Sequence, residues 1–276
     1  MMPKKRAREH AGVVVAAVGI LALAAALIAG VAGFDAAEPI KLTVTRVCGS
    51  AAFVGVILYL GYRPCRPREL VSAKKAAVII LPALIVAVNN MPILPLLSGE
   101  ARVTAGAADI VLFGVECIFI GVFEETAFRG ILLLTVAERF GETRRGLFFS
   151  ALATSAFFGA AHLFNILGGA GVGATLLQAG YSFLIGGMCS LVLLLTGSLA
   201  SCCVLHAIYD FGGYLVPRLG EGIIWTKSEI ALTAVIGVVV LLYYLYALQM
   251  LSPEAVRMLT GEVRDEKADP DRGAAK

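Results

Sequence analysis

Long apolar runs, separated by short clusters of charged residues, glycine and proline, recur along almost the whole chain. A helix needs about 20 apolar residues to cross the hydrocarbon core of a bilayer. Runs near that length lie at about 11–33, 43–62, 76–97, 106–134, 146–167, 174–196, 198–216 and 229–250. The pattern predicts an all-α fold, a polytopic bundle of about eight transmembrane helices. Only Thr196 and Gly197 separate the sixth run from the seventh, which predicts a tight helical hairpin. The first run follows the basic segment KKRAR but is longer than the stretch of about 15 residues in a secretory signal, so it reads as a retained anchor.

Composition supports the same class. Of 276 residues, 59% are hydrophobic and 16% charged, and the mean hydropathy is +0.86. Average globular chains are about a quarter charged and under half apolar, so a soluble domain is excluded, as are disordered, collagen-like and coiled-coil chains. The balance of 23 Lys and Arg against 20 Asp and Glu gives a net charge of +3, too small and too scattered for a nucleic-acid partner. The cysteines at 48, 65, 117, 189, 202 and 203 form no C-x-x-C pair, so neither a disulfide framework nor a thiolate metal site is expected.

The position of the basic residues predicts orientation. Lys4, Lys5, Arg6 and Arg8 precede the first run; Arg63, Arg66, Arg68, Lys74 and Lys75 follow the second; Arg139, Arg144 and Arg145 follow the fourth; more follow from Arg257 onward. The alternate loops hold only Lys41, Arg46, Arg102, Arg218 and Lys227. By the positive-inside rule both termini are expected in the cytoplasm, with the protein integral to a prokaryotic plasma membrane. Residues 1–251 read as one transmembrane helical domain. Residues 252–276, rich in charge and broken by Pro270 and Gly273, read as a disordered cytoplasmic tail.

Ionisable residues at membrane depth are expensive and need a partner or a task. Here they cluster: Glu124, Glu125 and Arg129 in EETAFRG, His162 and Asn165 in FFGAAHLFN, His206 and Asp210 in HAIYD. Residues four apart share a helix face, so Glu125 is expected to pair with Arg129 and His206 to sit over Asp210. Glu124 projects about 100° from Glu125, which frees one carboxylate for chemistry while the other neutralises the arginine. A desolvated carboxylate can serve as general base to a water. Imidazoles from two further helices can bind a metal or polarise a carbonyl. No H-E-x-x-H is present, so the residues alone do not demand zinc.

These motifs resemble those of the CPBP intramembrane proteases, also called the CAAX type II endopeptidase or abortive-infection family. EETAFRG is similar to E-E-x-x-x-R, FGAAH to F-x-x-x-H, and HAIYD to H-x-x-x-(N/D), in order and at similar spacing across a core of about 106–216. The resemblance implies an intramembrane endopeptidase acting on a membrane-associated peptide, or on a prenylated CAAX-type protein. It implies that Glu124 activates water, helped by His162, and that His206 and Asp210 complete the site. Glu125 and Arg129 would support it as ion-paired neighbours; by position, Phe158 is expected to pack beside His162 and Asn165 to support the site through an interhelical hydrogen bond. Asp210 stands where the eukaryotic prenyl-protein proteases carry Asn. An ionised Asp is a poor oxyanion donor but a good metal ligand, so the chain leans towards zinc held by His162, His206 and Asp210. The expected partners are the lipid bilayer and the peptide substrate.

Two other classes fit buried ionisable groups: a proton- or ion-coupled transporter, and a catalytically inactive immunity or scaffold protein. No inverted repeat favours the first, and the intact Glu124, His162 and His206 weigh against the second. Asp109, Glu116, Asn89 and Asn90 are polar positions without an assigned role. Counting about 1.5 Å per residue, Glu124 and His206 lie towards the cytoplasmic side while His162 lies about 24 Å along its own span. The groups therefore meet only if the fifth span is tilted or starts outside the core, and the expected cavity faces the cytoplasm.

Overall fold

The computed structural model describes residues 38–64 and 72–261. The expected span at 11–33, its basic leader, Arg66, Arg68 and the tail beyond Gly261 lie outside the described residues. The helices are α1 Glu38–Leu60, α2 Ala73–Asn89, α3 Ile93–Ser98, α4 Ala107–Glu125, α5 Leu134–Phe140, α6 Arg144–Ala161, α7 Val172–Thr196, α8 Leu199–Leu219, α9 Lys227–Ala247 and α10 Pro253–Leu259. Among the described residues, five segments are long and apolar enough to cross a membrane: Thr43–Leu60, Arg144–Ile166, Val172–Thr196, Leu199–Leu219 and Lys227–Met250. The architecture is the expected all-α membrane bundle, although eight crossings are not counted in it. α2 has only 17 residues, and α4 carries Asp109, Glu116, Glu124 and Glu125, which makes it the most acidic of the long helices.

Side-chain caps start many of these helices. Ser72, Thr143, Ser198, Thr226 and Ser252 each accept from a backbone N–H in the first turn, at the heads of α2, α6, α8, α9 and α10. Each satisfies a donor that the helix itself leaves orphaned. Gly197 closes α7 at φ 73°, a left-handed conformation that glycine adopts without strain. The expected hairpin of α7 and α8 thus forms on the residues that predicted it.

Helix α7 runs through the middle, packed by α6, α2, α8 and α9, while α4 lies along α8 and against α1. Its second half, from Ile185 to Leu194, is almost wholly buried. The long exposed apolar faces of α1, α2 and α9 are what a lipid-facing surface requires.

The structure departs from the sequence reading in four places. The run at 76–97 is not one span: α2 stops at Asn89, and Pro92, which has no N–H, starts the separate α3. Residues Ala101–Val103 (β1) pair antiparallel with Gly220–Gly222 (β2), strands too short to leave a periodic signal. The helix begun by α4 widens into a π-helix over Thr126–Leu133 before resuming as α5. Finally, the tail is helical from Pro253 to Leu259, because Ala255, Val256 and Leu259 bury against the bundle and Arg63 N–H donates to Leu259 O at 2.6 Å.

Connectivity defines two ends. One contains the Gly197 turn, Pro64, whose carbonyl accepts from Leu199 N–H at 2.8 Å, the α5–α6 turn and α10. The other contains α3, the β1–β2 ribbon and the starts of α4, α7 and α9.

Candidate active site

The acidic pair sits where α4 passes into the π-helix. At Gly121, one turn earlier, a Cβ would come within 2.6 Å of the carbonyl oxygen of Cys203 on α8. The missing side chain lets α4 and α8 approach closely and brings the pair against His206. A π-helical turn uses i→i+5 hydrogen bonds and is frequent at functional sites. Here it carries Arg129, which turns back to Glu125.

The two adjacent carboxylates have different surroundings. Glu125 is fully buried: its Oε1 accepts from Arg129 at 2.9 Å and from His206 Nδ1 at 2.6 Å. The Glu124 side chain keeps 19% of its surface accessible and lines a large cavity, with Oε2 3.7 Å from His206 Nε2. Asp210 Oδ2 lies 3.5 Å from the same nitrogen. Arg129 is also buried, with its guanidinium 4.3 Å from the centroid of the Phe158 ring. Gly186 on α7 makes the room: a Cβ there would collide with the Arg129 guanidinium and lie 2.8 Å from Phe158.

His162 caps α6 and opens a short 3-10 turn, His162–Ile166. Its Nδ1 donates to Phe158 O at 2.9 Å, and its ring meets the Phe158 ring edge-on at 5.0 Å. Phe158 also stands edge-on to His206 at 5.8 Å, so one aromatic ring separates and fixes the two imidazoles. Glu124, His162, His206, Asp210 and Asn165 all line the same cavity of about 1290 Å³. α6 ends at Ala161, which puts His162 at a helix end, on the lining it shares with Glu124.

Both histidines share one pattern. A carbonyl or carboxylate oxygen only accepts, so each Nδ1 carries hydrogen and each neutral ring presents the lone pair of Nε2. Zinc-binding imidazoles are anchored in this way by a carboxylate or backbone carbonyl. The Nε2 of His206 faces two carboxylates, and an unprotonated nitrogen there would be repelled by both. A proton or a cation between them removes the conflict. His162, His206 and Asp210 thus offer donor atoms of the kinds that zinc takes.

Their ligand atoms are nevertheless not gathered as closely as another set. Among the described residues, the one group within 4.8 Å of one another is Glu125, Cys189 and Cys202, which could hold a metal ion. The sequence, with no C-x-x-C, predicted no thiolate site; the α7–α8 hairpin brings the two cysteines together in space. Both thiols already donate to backbone carbonyls, Cys202 to Cys189 O at 3.2 Å and Cys189 to Cys202 O at 3.8 Å. A metal there would need two thiolates beside a carboxylate, with Arg129 as the adjoining cation.

The positions left unassigned by the sequence have partners. Asn90 donates to Tyr209 O at 2.8 Å and Asn89 to Thr233 at 3.3 Å. Glu116 pairs with Arg218 at 2.7 Å. All three line the cavity. Asp109 stands in the first turn of α4, where a negative charge complements the helix dipole. Asn165 donates to Gln178 of α7 at 2.9 Å, and Gln178 to Tyr214 OH at 3.0 Å. Arg46, read from the sequence as a loop cation outside every motif, lies within α1 and also lines the cavity. The cavity lining runs to the ribbon end, through Pro92, Thr175, Arg218 and Trp225.

No curated protein and no solved structure matches this chain significantly. The family model described as type II CAAX prenyl endopeptidase Rce1-like matches residues 106–212, the stretch from the head of α4 to the middle of α8. The segment that holds the three motifs is therefore similar to the type II CAAX prenyl endopeptidases over residues 106–212.

Proposed function

We propose that the chain hydrolyses a peptide bond in a membrane-associated substrate with a water activated at Glu124. Prenylated peptides are the substrate class that suits a cavity walled by Phe128, Phe157 and Leu177. One observation carries the reading: Glu125 is buried and occupied by Arg129 and His206, while Glu124 faces the cavity. Glu124 takes a proton from water as the water oxygen attacks the scissile carbonyl carbon. The carbonyl electrons move onto oxygen. Re-forming the carbonyl breaks the C–N bond, the proton held by Glu124 passes to the leaving nitrogen, and an acid and an amine result.

His162, through Nε2, accepts from the same water and aims it. His206, held by Glu125, presents Nε2 between Glu124 and Asp210; protonated, it donates to the developing oxyanion. When zinc is bound, the chemistry it supplies is polarisation of the carbonyl and acidification of a water, and His162, His206 and Asp210 would hold it. The test is cleavage of fluorogenic prenylated and unprenylated peptides by the purified chain in detergent, with Glu124→Gln and His162→Ala alongside and with a zinc chelator. Turnover untouched by both substitutions would overturn the mechanism. Glu124-dependent ion flux in liposomes without cleavage would replace it by transport.

A further inference from the structure

Glu116, Glu124, Asp210 and Glu229 give the cavity an acidic lining, with Arg46 and Arg218 as its cations. Arg218 is paired with Glu116 at 2.7 Å. Arg46 has no carboxylate within ion-pair distance among the described residues; its guanidinium lies 4.6 Å from the centroid of the Phe123 ring. An arginine within a membrane-spanning helix is costly unless something balances it. Stacking on an aromatic face holds the guanidinium while leaving its in-plane N–H donors open.

We propose that Arg46 anchors the free carboxylate at the C-terminal end of the peptide substrate; this rests on the endopeptidase reading above. A guanidinium fork takes a carboxylate through two parallel hydrogen bonds. The acids lining the cavity weigh against a more highly charged anion. Phe123 directly precedes Glu124 in α4, so the ring that carries Arg46 and the residue that activates water are held in fixed relation. An extended chain advances at most about 3.3–3.6 Å per residue. A terminus anchored at Arg46 therefore sets the scissile bond at a constant number of residues from the end. Arg46 is a positioning residue, because it touches the substrate's terminus and none of the reacting atoms.

The experiment compares matched peptides ending in a free acid or an amide. The purified full chain, Arg46→Gln and Arg46→Lys are each assayed for kcat/KM and for the bond cut. The unaltered chain is expected to favour the acid by roughly 10- to 100-fold, the range for a hydrogen bond to a charged group. Arg46→Gln should bring the ratio near one, and Arg46→Lys should keep part of it. Lengthening the peptide at its C-terminal end should move the cut by the added residues. Binding is read separately from the fluorescence of Trp225, the chain's single tryptophan and a residue of the cavity wall, in a Glu124→Gln background. Preferential binding of the acid, lost with Arg46→Gln, supports the anchor even if no peptide is cut, in which case only the protease reading fails. Equal binding of acid and amide, or an Arg46→Gln loss that is the same for both, overturns it.

Discussion

At the scale of single residues, the neighbours Glu124 and Glu125 should differ in what the same substitution does to stability. Glu124→Gln removes a cavity-facing carboxylate and leaves the packing intact. Turnover is expected to fall by roughly 10²–10⁴-fold, the range for a lost general base, with thermal unfolding in detergent nearly unchanged. Glu125→Gln leaves Arg129 buried without its countercharge, a change that costs roughly 3–5 kcal/mol. A clear loss of thermal stability should accompany the loss of activity. Equal stability losses in the two variants would show that the carboxylates are not divided as described. This contrast was readable before any coordinates, because an i, i+4 spacing puts Glu125 on the face of Arg129 and turns Glu124 away. The second partner of Glu125, His206 Nδ1 at 2.6 Å, was not readable, since it comes from a helix 81 positions along the chain.

At the scale of elements, the site depends on how closely α4 approaches α8. Gly121→Ala would drive a methyl group to 2.6 Å from Cys203 O, a backbone atom that cannot rotate away. The helices must separate, at a cost of about 1–3 kcal/mol for an overpacked contact. The variant is expected to unfold at lower temperature and to lose activity as the contact between Glu125 and His206 lengthens. Retention of both properties would mean that this approach does not position the acids. Gly186→Ala tests the opposite wall, where the methyl group would displace Arg129 and Phe158. The π-helix over Thr126–Leu133 had no sequence signal. Its Arg129 guanidinium meets Phe158 as well as Glu125, and the Phe158 contact is settled by packing.

At the scale of the whole molecule, basic residues and cavity mark opposite ends. Arg63, Lys74, Lys75, Arg139, Arg144, Arg145 and Arg257 lie at the end with the Gly197 turn; Arg102, Arg218 and Lys227 lie at the ribbon end. By the positive-inside rule the ribbon end, and the cavity lining that reaches it, is expected outside the cytoplasm. The check is side-specific labelling with Cys48 and Cys65 replaced by serine, the other described thiols being buried or half-buried. A membrane-impermeant maleimide should label Glu221→Cys on intact cells and Arg144→Cys only after permeabilisation. The reverse pattern would turn the molecule over and open the cavity to the cytoplasm.

The sequence alone determined the membrane class, the positions of the five long apolar helices among the described residues, the α7–α8 hairpin and the three motif clusters. All of these follow from local pattern: run length against bilayer thickness, a glycine that permits a left-handed turn, and helical spacing of charge. Tertiary structure alone decided that α2 ends before Pro92, that the first residues of the expected tail dock as α10, and that Cys189 and Cys202 meet. It also decided that an arginine outside every motif faces the same cavity as Glu124. Those outcomes depend on which surfaces come into contact across dozens of residues, and no periodicity within one helix encodes its neighbour.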